Sequence, residues 1–245
     1  MIHYHGTPIG GTRQDVVRFL QGRHALVPFP RRDDIGIVSE VCQSFCFDNG
    51  AYSVWKKGVQ LDIPGYVKWV SEWFKHPSFD WALIPDVIDG DEEANDLLIS
   101  QWPKELPGVP VWHLHESIER LVTLASNWKT VALGSSGQFS SPGTKSWWVR
   151  MSDAMNAICD EQGRPMCKLH GLRMLDPAIF TRLPLSSADS TNAAVNGGSV
   201  KRFGMYIPPT AGQRAEVIVS RIEMHSSSHV WLEGNQEELF SLTGD

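Results

Sequence analysis

Eight short apolar segments, each closing on a glycine or a polar residue and each followed by a stretch of helical character, set the architecture of this chain. They are residues 2–5, 25–29, 44–47, 81–84, 111–114, 131–133, 166–169 and 185–188. Strands that alternate with helices pair in parallel through right-handed crossovers. Runs such as Trp81-Ala82-Leu83-Ile84 are apolar on both faces, as strands covered on both sides must be. Between the segments, Tyr66, Trp69, Val70, Trp73 and Phe74 recur on one face of a 3.6-residue period, and Trp147, Met151, Met155 and Ile158 do the same. Helix stops fall at Gly163-Arg164-Pro165 and before Pro77. An open doubly wound sheet would show the same alternation, but a count of eight favours closure into a single (β/α)8 barrel of TIM type. Residues 1–210 are assigned to the barrel and 211–245 to a short C-terminal extension. In that extension residues 215–224 are expected to form a helix packed on the barrel, and Ser226 to Ser228 with the acidic end a loosely held terminus.

Charge and cysteine usage narrow the function. With 22 Lys and Arg against 28 Asp and Glu, the net charge is −6, which argues against a bulk electrostatic grip on nucleic acid but leaves room for a local basic groove. The short basic runs Arg31-Arg32 and Lys56-Lys57 read as solvated faces. Most of the ten Trp fall in periodic segments and read as packing residues. Cys42, Cys46, Cys159 and Cys167 match neither a CxxC pair nor a disulfide framework, so free thiols in a reducing cytoplasm are expected. No secretory leader follows Met1, and no apolar run approaches the ~18–20 residues that span a bilayer, so no membrane is expected.

The polar residues just after the strands carry the functional reading. Asp48, Asp86, His115, Glu116, Gly134, His170 and Asp189 all stand there. In a closed barrel these strand ends meet on one face, where active sites are built. Asp48-Asn49-Gly50 is also common turn chemistry, and Asp189 could be no more than a helix cap. Several carboxylates in one pocket would push one another's pKa values apart, which suits a division between acid/base and nucleophile. His113 and His115 flank Leu114, and one of the two is expected to face the barrel while the other faces the helices. His5, His115 and His170 with the carboxylates form a weaker zinc alternative, because none of them shares the i, i+4 spacing of a compact helical motif. No metal and no cofactor is assigned. Gly134-Ser135-Ser136-Gly137 could admit a planar ligand close to the backbone or cradle a phosphate, though it lacks the lysine of a P-loop.

Taken in order, several segments resemble the tRNA-guanine transglycosylase superfamily, and within it the short phage proteins held to insert 7-deazaguanine bases into DNA. They are His5-Gly6-Thr7-Pro8, Phe47-Asp48-Asn49-Gly50-Ala51-Tyr52, Ile84-Pro85-Asp86-Val87, Val111 to Glu116, Leu133 to Gly137, Leu169-His170-Gly171-Leu172-Arg173 and Ser187-Ala188-Asp189-Ser190-Thr191. No one segment is specific; their order along a barrel is what resembles the family. The resemblance implies Asp189 as nucleophile and Asp48 as general acid/base. It also implies Asp86 and Gly134 in the base pocket; His115, Glu116, Ser135, His170 and Arg173 are read with them as substrate contacts, and Tyr52 or Trp112 as the aromatic that holds an extruded base. The partners it implies are nucleic acid, DNA ahead of tRNA, and a free 7-deazaguanine base, in a phage-encoded protein acting in a bacterial host as a homodimer or with a partner subunit. The chain departs from the tRNA enzymes in lacking their cysteine-rich zinc insertion, in its shorter length and in a shorter spacing from Asp189 to Thr191. An N-glycosidic or metal-dependent hydrolase on the same barrel, and a non-catalytic nucleic-acid-binding subunit, remain as alternatives.

Overall fold

The computed structural model describes residues 1–7, 12–196 and 203–232. Nine strands, β1 (Ile2–Gly6), β2 (His24–Pro28), β3 (Ser44–Asp48), β4 (Phe79–Leu83), β5 (Gly108–Val109), β6 (Val111–His113), β7 (Thr130–Gly134), β8 (Lys168–Gly171) and β9 (Ser187–Ser190), form one all-parallel sheet in the order β5-β4-β3-β2-β1-β9-β8-β7-β6. The two ends of that order, β5 and β6, are one run of chain parted only by Pro110. β5 pairs with β4 and β6 with β7, so the sheet curls into a nearly closed barrel in which β5 and β6 share the place of a fifth of eight strands. The break has a chemical cause. Pro110 accepts from Ala132 N–H at 2.9 Å through its carbonyl but has no N–H to return, which interrupts the ladder.

Ten helices cover the outside: α1 (Arg13–Leu20), α2 (Ile35–Val41), α3 (Ala51–Lys57), α4 (Ile63–Trp73), α5 (Glu92–Gln101), α6 (Ile118–Asn127), α7 (Lys145–Ile158), α8 (Pro177–Phe180), α9 (Asn192–Asn196) and α10 (Ala211–Glu223). Their starts are written in side chains that accept backbone N–H groups: Thr12, Asp62, Asp91, Ser117, Asp176 and Thr210.

Alternation along the strands sorts the core into two parts. Ala25, Val27, Phe45, Phe47, Trp112, Leu114, Val131 and Leu133 pack outward against the helices, meeting Tyr66, Trp69 and Val70 of α4 and Trp147, Met151, Met155 and Ile158 of α7. Each buried Val, Leu, Ile, Phe or Met among them stabilises the fold by about 1.5–3 kcal/mol. Tyr4, Leu26 and Cys46, and separately Leu83, Val109, Val111 and Ala132, form small clusters inside the barrel. Lower in the interior the filling is polar: Tyr4 donates to Asp80 at 2.7 Å, and Ser44 also donates to Asp80 while bonded to His24.

The helix of the extension lies on the barrel, while the chain after it departs from expectation. α10 is pinned to the barrel, with Glu223 accepting from His5 at 3.0 Å and from Arg23 at 2.9 Å. The chain after it is also held. Ser227 donates to the Leu185 carbonyl, and Trp231 is buried, giving its backbone N–H to Gly163 and its indole N–H to Asn156. The segment read as loose is thus fastened by tertiary hydrogen bonds that local composition does not reveal. The acidic end beyond residue 232 lies outside the described residues.

Candidate active site

The turn after β3 is both a turn and part of a site. Asp48 accepts the Gly50 N–H at 3.0 Å, and buried Asn49 accepts the Ala51 N–H at 2.7 Å, starting α3. Gly50 sits at φ 80°, and a Cβ there would come within 2.4 Å of Pro30. Only glycine fits, on both counts. Asn49 also reaches sideways, donating to the Ile84 carbonyl at 2.9 Å and to Asp86 at 2.8 Å. The other oxygen of Asp86 accepts from His113 Nε2 at 2.9 Å. Asp86 is therefore held by two donors, an arrangement suited to a carboxylate anion.

Asp189, on β9, is buried and accepts the Arg173 backbone N–H at 3.0 Å through Oδ1. Its Oδ2, like Asp48 Oδ2, makes no hydrogen bond among the described residues. Arg173 is the one described non-glycine residue at positive φ, 59°. Its exposed guanidinium lies 4.5 Å from the centre of the Tyr52 ring, a cation–π contact.

Asp48, Asn49, Tyr52, Asp86, His113, Gly134, Ser135, Arg173 and Asp189 line one small cavity of about 90 Å³, with Leu26, Leu83 and Leu172 as apolar wall. Room on that scale holds a few water molecules or the edge of a flat ring. Burial pushes the Asp48 carboxyl up to about 7; the Gly50 N–H opposes this, and the charges of Asp189 and Asp86 add to it. A group poised there can give and take a proton near neutral pH.

Not every residue singled out from the sequence reaches the cavity. His115 stands at the rim: Ser136 bonds its Nδ1 at 2.7 Å, and its Nε2 donates to the Gly90 carbonyl at 3.2 Å. Glu116 lies in a buried structural knot, accepting from Arg120 at 2.7 Å, Asn95 at 2.9 Å and the His113 backbone at 2.8 Å. His170 is fully buried beneath the site, bonded to Ser187, with Nε2 3.4 Å from Asp189. His5 points out of the barrel to Glu223, so it does not join His115 or His170, and no cluster of three or more metal-ligating side chains occurs among the described residues. His113 and His115 do not face opposite ways. Their rings lie 5.7 Å apart at 22°, on one side, because β6 ends at His113 and a turn closed by the Glu116 N–H on the His113 carbonyl brings His115 beside it. Asn49 was legible only as a turn residue; its bridge to Asp86 depends on the neighbouring strand.

Comparisons with protein-family models, curated proteins and solved structures give no match. What the fold and the site define together is a TIM-type parallel barrel with three carboxylates at the C-terminal mouth of its strands.

Proposed function

We propose that the protein is a base-exchange transglycosylase that replaces guanine in nucleic acid, DNA ahead of tRNA, with a 7-deazaguanine. The observation that carries this reading is that Asp48 and Asp189, remote in sequence, share one cavity in unlike settings, one near neutrality in its titration and one fastened by a backbone amide. Asp189 Oδ2 attacks C1′ of the target nucleotide. The C1′–N9 bond breaks, its electron pair leaves with the purine, and that purine takes the proton of Asp48. The incoming base then gives its N9 proton to Asp48, N9 bonds C1′, and the sugar leaves Asp189. The cycle is redox-neutral and returns both carboxyls to their starting states. Asp86, held by Asn49 and His113, suits the N1–H and N2–H donors of a guanine edge. Gly134, with no side chain beside His113, leaves space for a flat ring.

Exchange of labelled guanine in oligonucleotides, with and without 7-deazaguanine, tests this. Asp189→Ala should abolish label loss, and Asp48→Asn should slow it by about 10²–10⁴-fold. Release of free guanine with no incorporation would make the protein a hydrolase instead, and unchanged exchange in Asp189→Ala would defeat the assignment.

A further inference from the structure

Two hollows open from the cavity on either side of α3. One is walled by Val54, Trp55, Val59, Leu61 and Leu98, the other by Tyr52, Trp55, Asp89, His115 and Gln138. They share Trp55 and Ile88, and each shares residues with the cavity itself, Asp86 with the first and Tyr52 and Ser135 with the second. At about 530 and 690 Å³ against about 90 Å³ for the cavity, the hollows have the space for neighbouring parts of a polymer that the cavity lacks.

Trp55 is the anomaly among the tryptophans. Trp69, Trp102, Trp112, Trp147, Trp148 and Trp231 are buried, while Trp55 is 47% exposed. It lies one helical turn from Tyr52, rings 5.8 Å apart and tilted by 36°, so the two form a stepped ledge and not a closed stack. One cation lies on the ledge and two follow it in the chain. Arg173 covers Tyr52, and Lys56 and Lys57 are exposed in the last turn of α3. None of the three is in an ion pair with another described residue. Exposed indole beside uncompensated positive charge suits a ligand with flat faces and anionic links. Bases in a duplex already have both faces stacked; only an unpaired strand offers them to a side chain.

We infer that the hollows hold an unpaired nucleic-acid strand, with Trp55 stacking on a base adjacent to the target nucleotide and Arg173, Lys56 and Lys57 meeting its phosphates. This rests on the nucleic-acid reading of the cavity and specifies its substrate as single-stranded or locally opened. Asp89 adds an acceptor for an exocyclic amine on the rim of the second hollow.

The test is fluorescence anisotropy with a labelled guanine-containing DNA oligomer, single-stranded and as a duplex. Wild type should bind the single strand at least about tenfold more tightly. Trp55→Ala should lose about tenfold in single-strand affinity, and Trp55→Phe should restore most of it. Equal binding to duplex, or Trp55→Ala binding like wild type, overturns the inference. Strand binding that depends on Trp55 in a wild type that exchanges no base would keep the groove and sink the transglycosylase; exchange indifferent to Trp55 would do the reverse.

Discussion

Asp48 carries opposite consequences for reaction and stability. An unfolded Asp carboxyl titrates near 3.8, whereas burial holds this one at about 7 in the folded chain. As the pH rises between those values the unfolded chain loses a proton that the folded one keeps, so stability falls through that window and stays lower above it. Asp48→Asn keeps an acceptor for Gly50 and removes the titration. It should raise stability by about 1–3 kcal/mol near neutral to mildly alkaline pH, after discounting for the solvent at the cavity mouth, and change little near pH 4. Urea midpoints at the two pH values measure this; an equal effect at both would show that the carboxyl is not strained by burial. The acidic residues of the site were legible from their places after strands. Asn49 and His113 were not, because their roles are cross-strand bonds to Asp86. His170 and Glu116 were legible as strand-end polar groups, but their direction depends on barrel packing: one lies below the site and the other in the Arg120 knot.

At the scale of elements, the last helix is joined to the barrel by charge as well as by packing. Ile218, Val219 and Ile222 bury one face of α10, and Glu223 ties His5 and Arg23. Desolvation acts to raise the Glu223 pKa, but the bonds from His5 and Arg23 outweigh it and leave the carboxyl lowered. Its contribution is present above the ordinary Glu range and lost as the pH falls through the lowered folded value. Glu223→Ala should cost about 1–3 kcal/mol at neutral pH, since it strands a buried imidazole N–H, and should speed amide exchange in α10 ahead of the strands. Exchange rising uniformly across the molecule would contradict the local role. All eight expected segments overlap strands, but those at 166–169 and 185–188 begin two residues early, because β8 and β9 run on through buried His170 and Asp189, and the short β5 was not among them. Pro110 stood in plain view, yet its effect, one strand serving two neighbours in two pieces, depends on partners far along the chain. The seating of Trp231 against Gly163 was invisible for the same reason.

For the molecule as a whole, a net charge of −6 sets how a polyanion can be held. Three cations at the ledge would release counterions from a single strand with a logarithmic salt slope of about −2, far shallower than that of proteins that wrap a basic face on DNA. Anisotropy titrations across a salt series read that slope directly, and a value several times steeper would place the contact surface elsewhere. Closure of the barrel makes such economy workable. It delivers Asp48, Asp86 and Asp189 to one mouth from three separate stretches of chain, so under the proposed function side-chain contacts there, and not bulk attraction, would select the target. The peptide at Arg173 draws these scales together. Its amide holds the Asp189 carboxylate while its own side chain covers the Tyr52 ring at the cavity wall, in a backbone conformation that few residues hold at rest. A shift of that side chain away from Tyr52 would therefore reach Asp189 through a single residue, so that cover and anchor share one pivot.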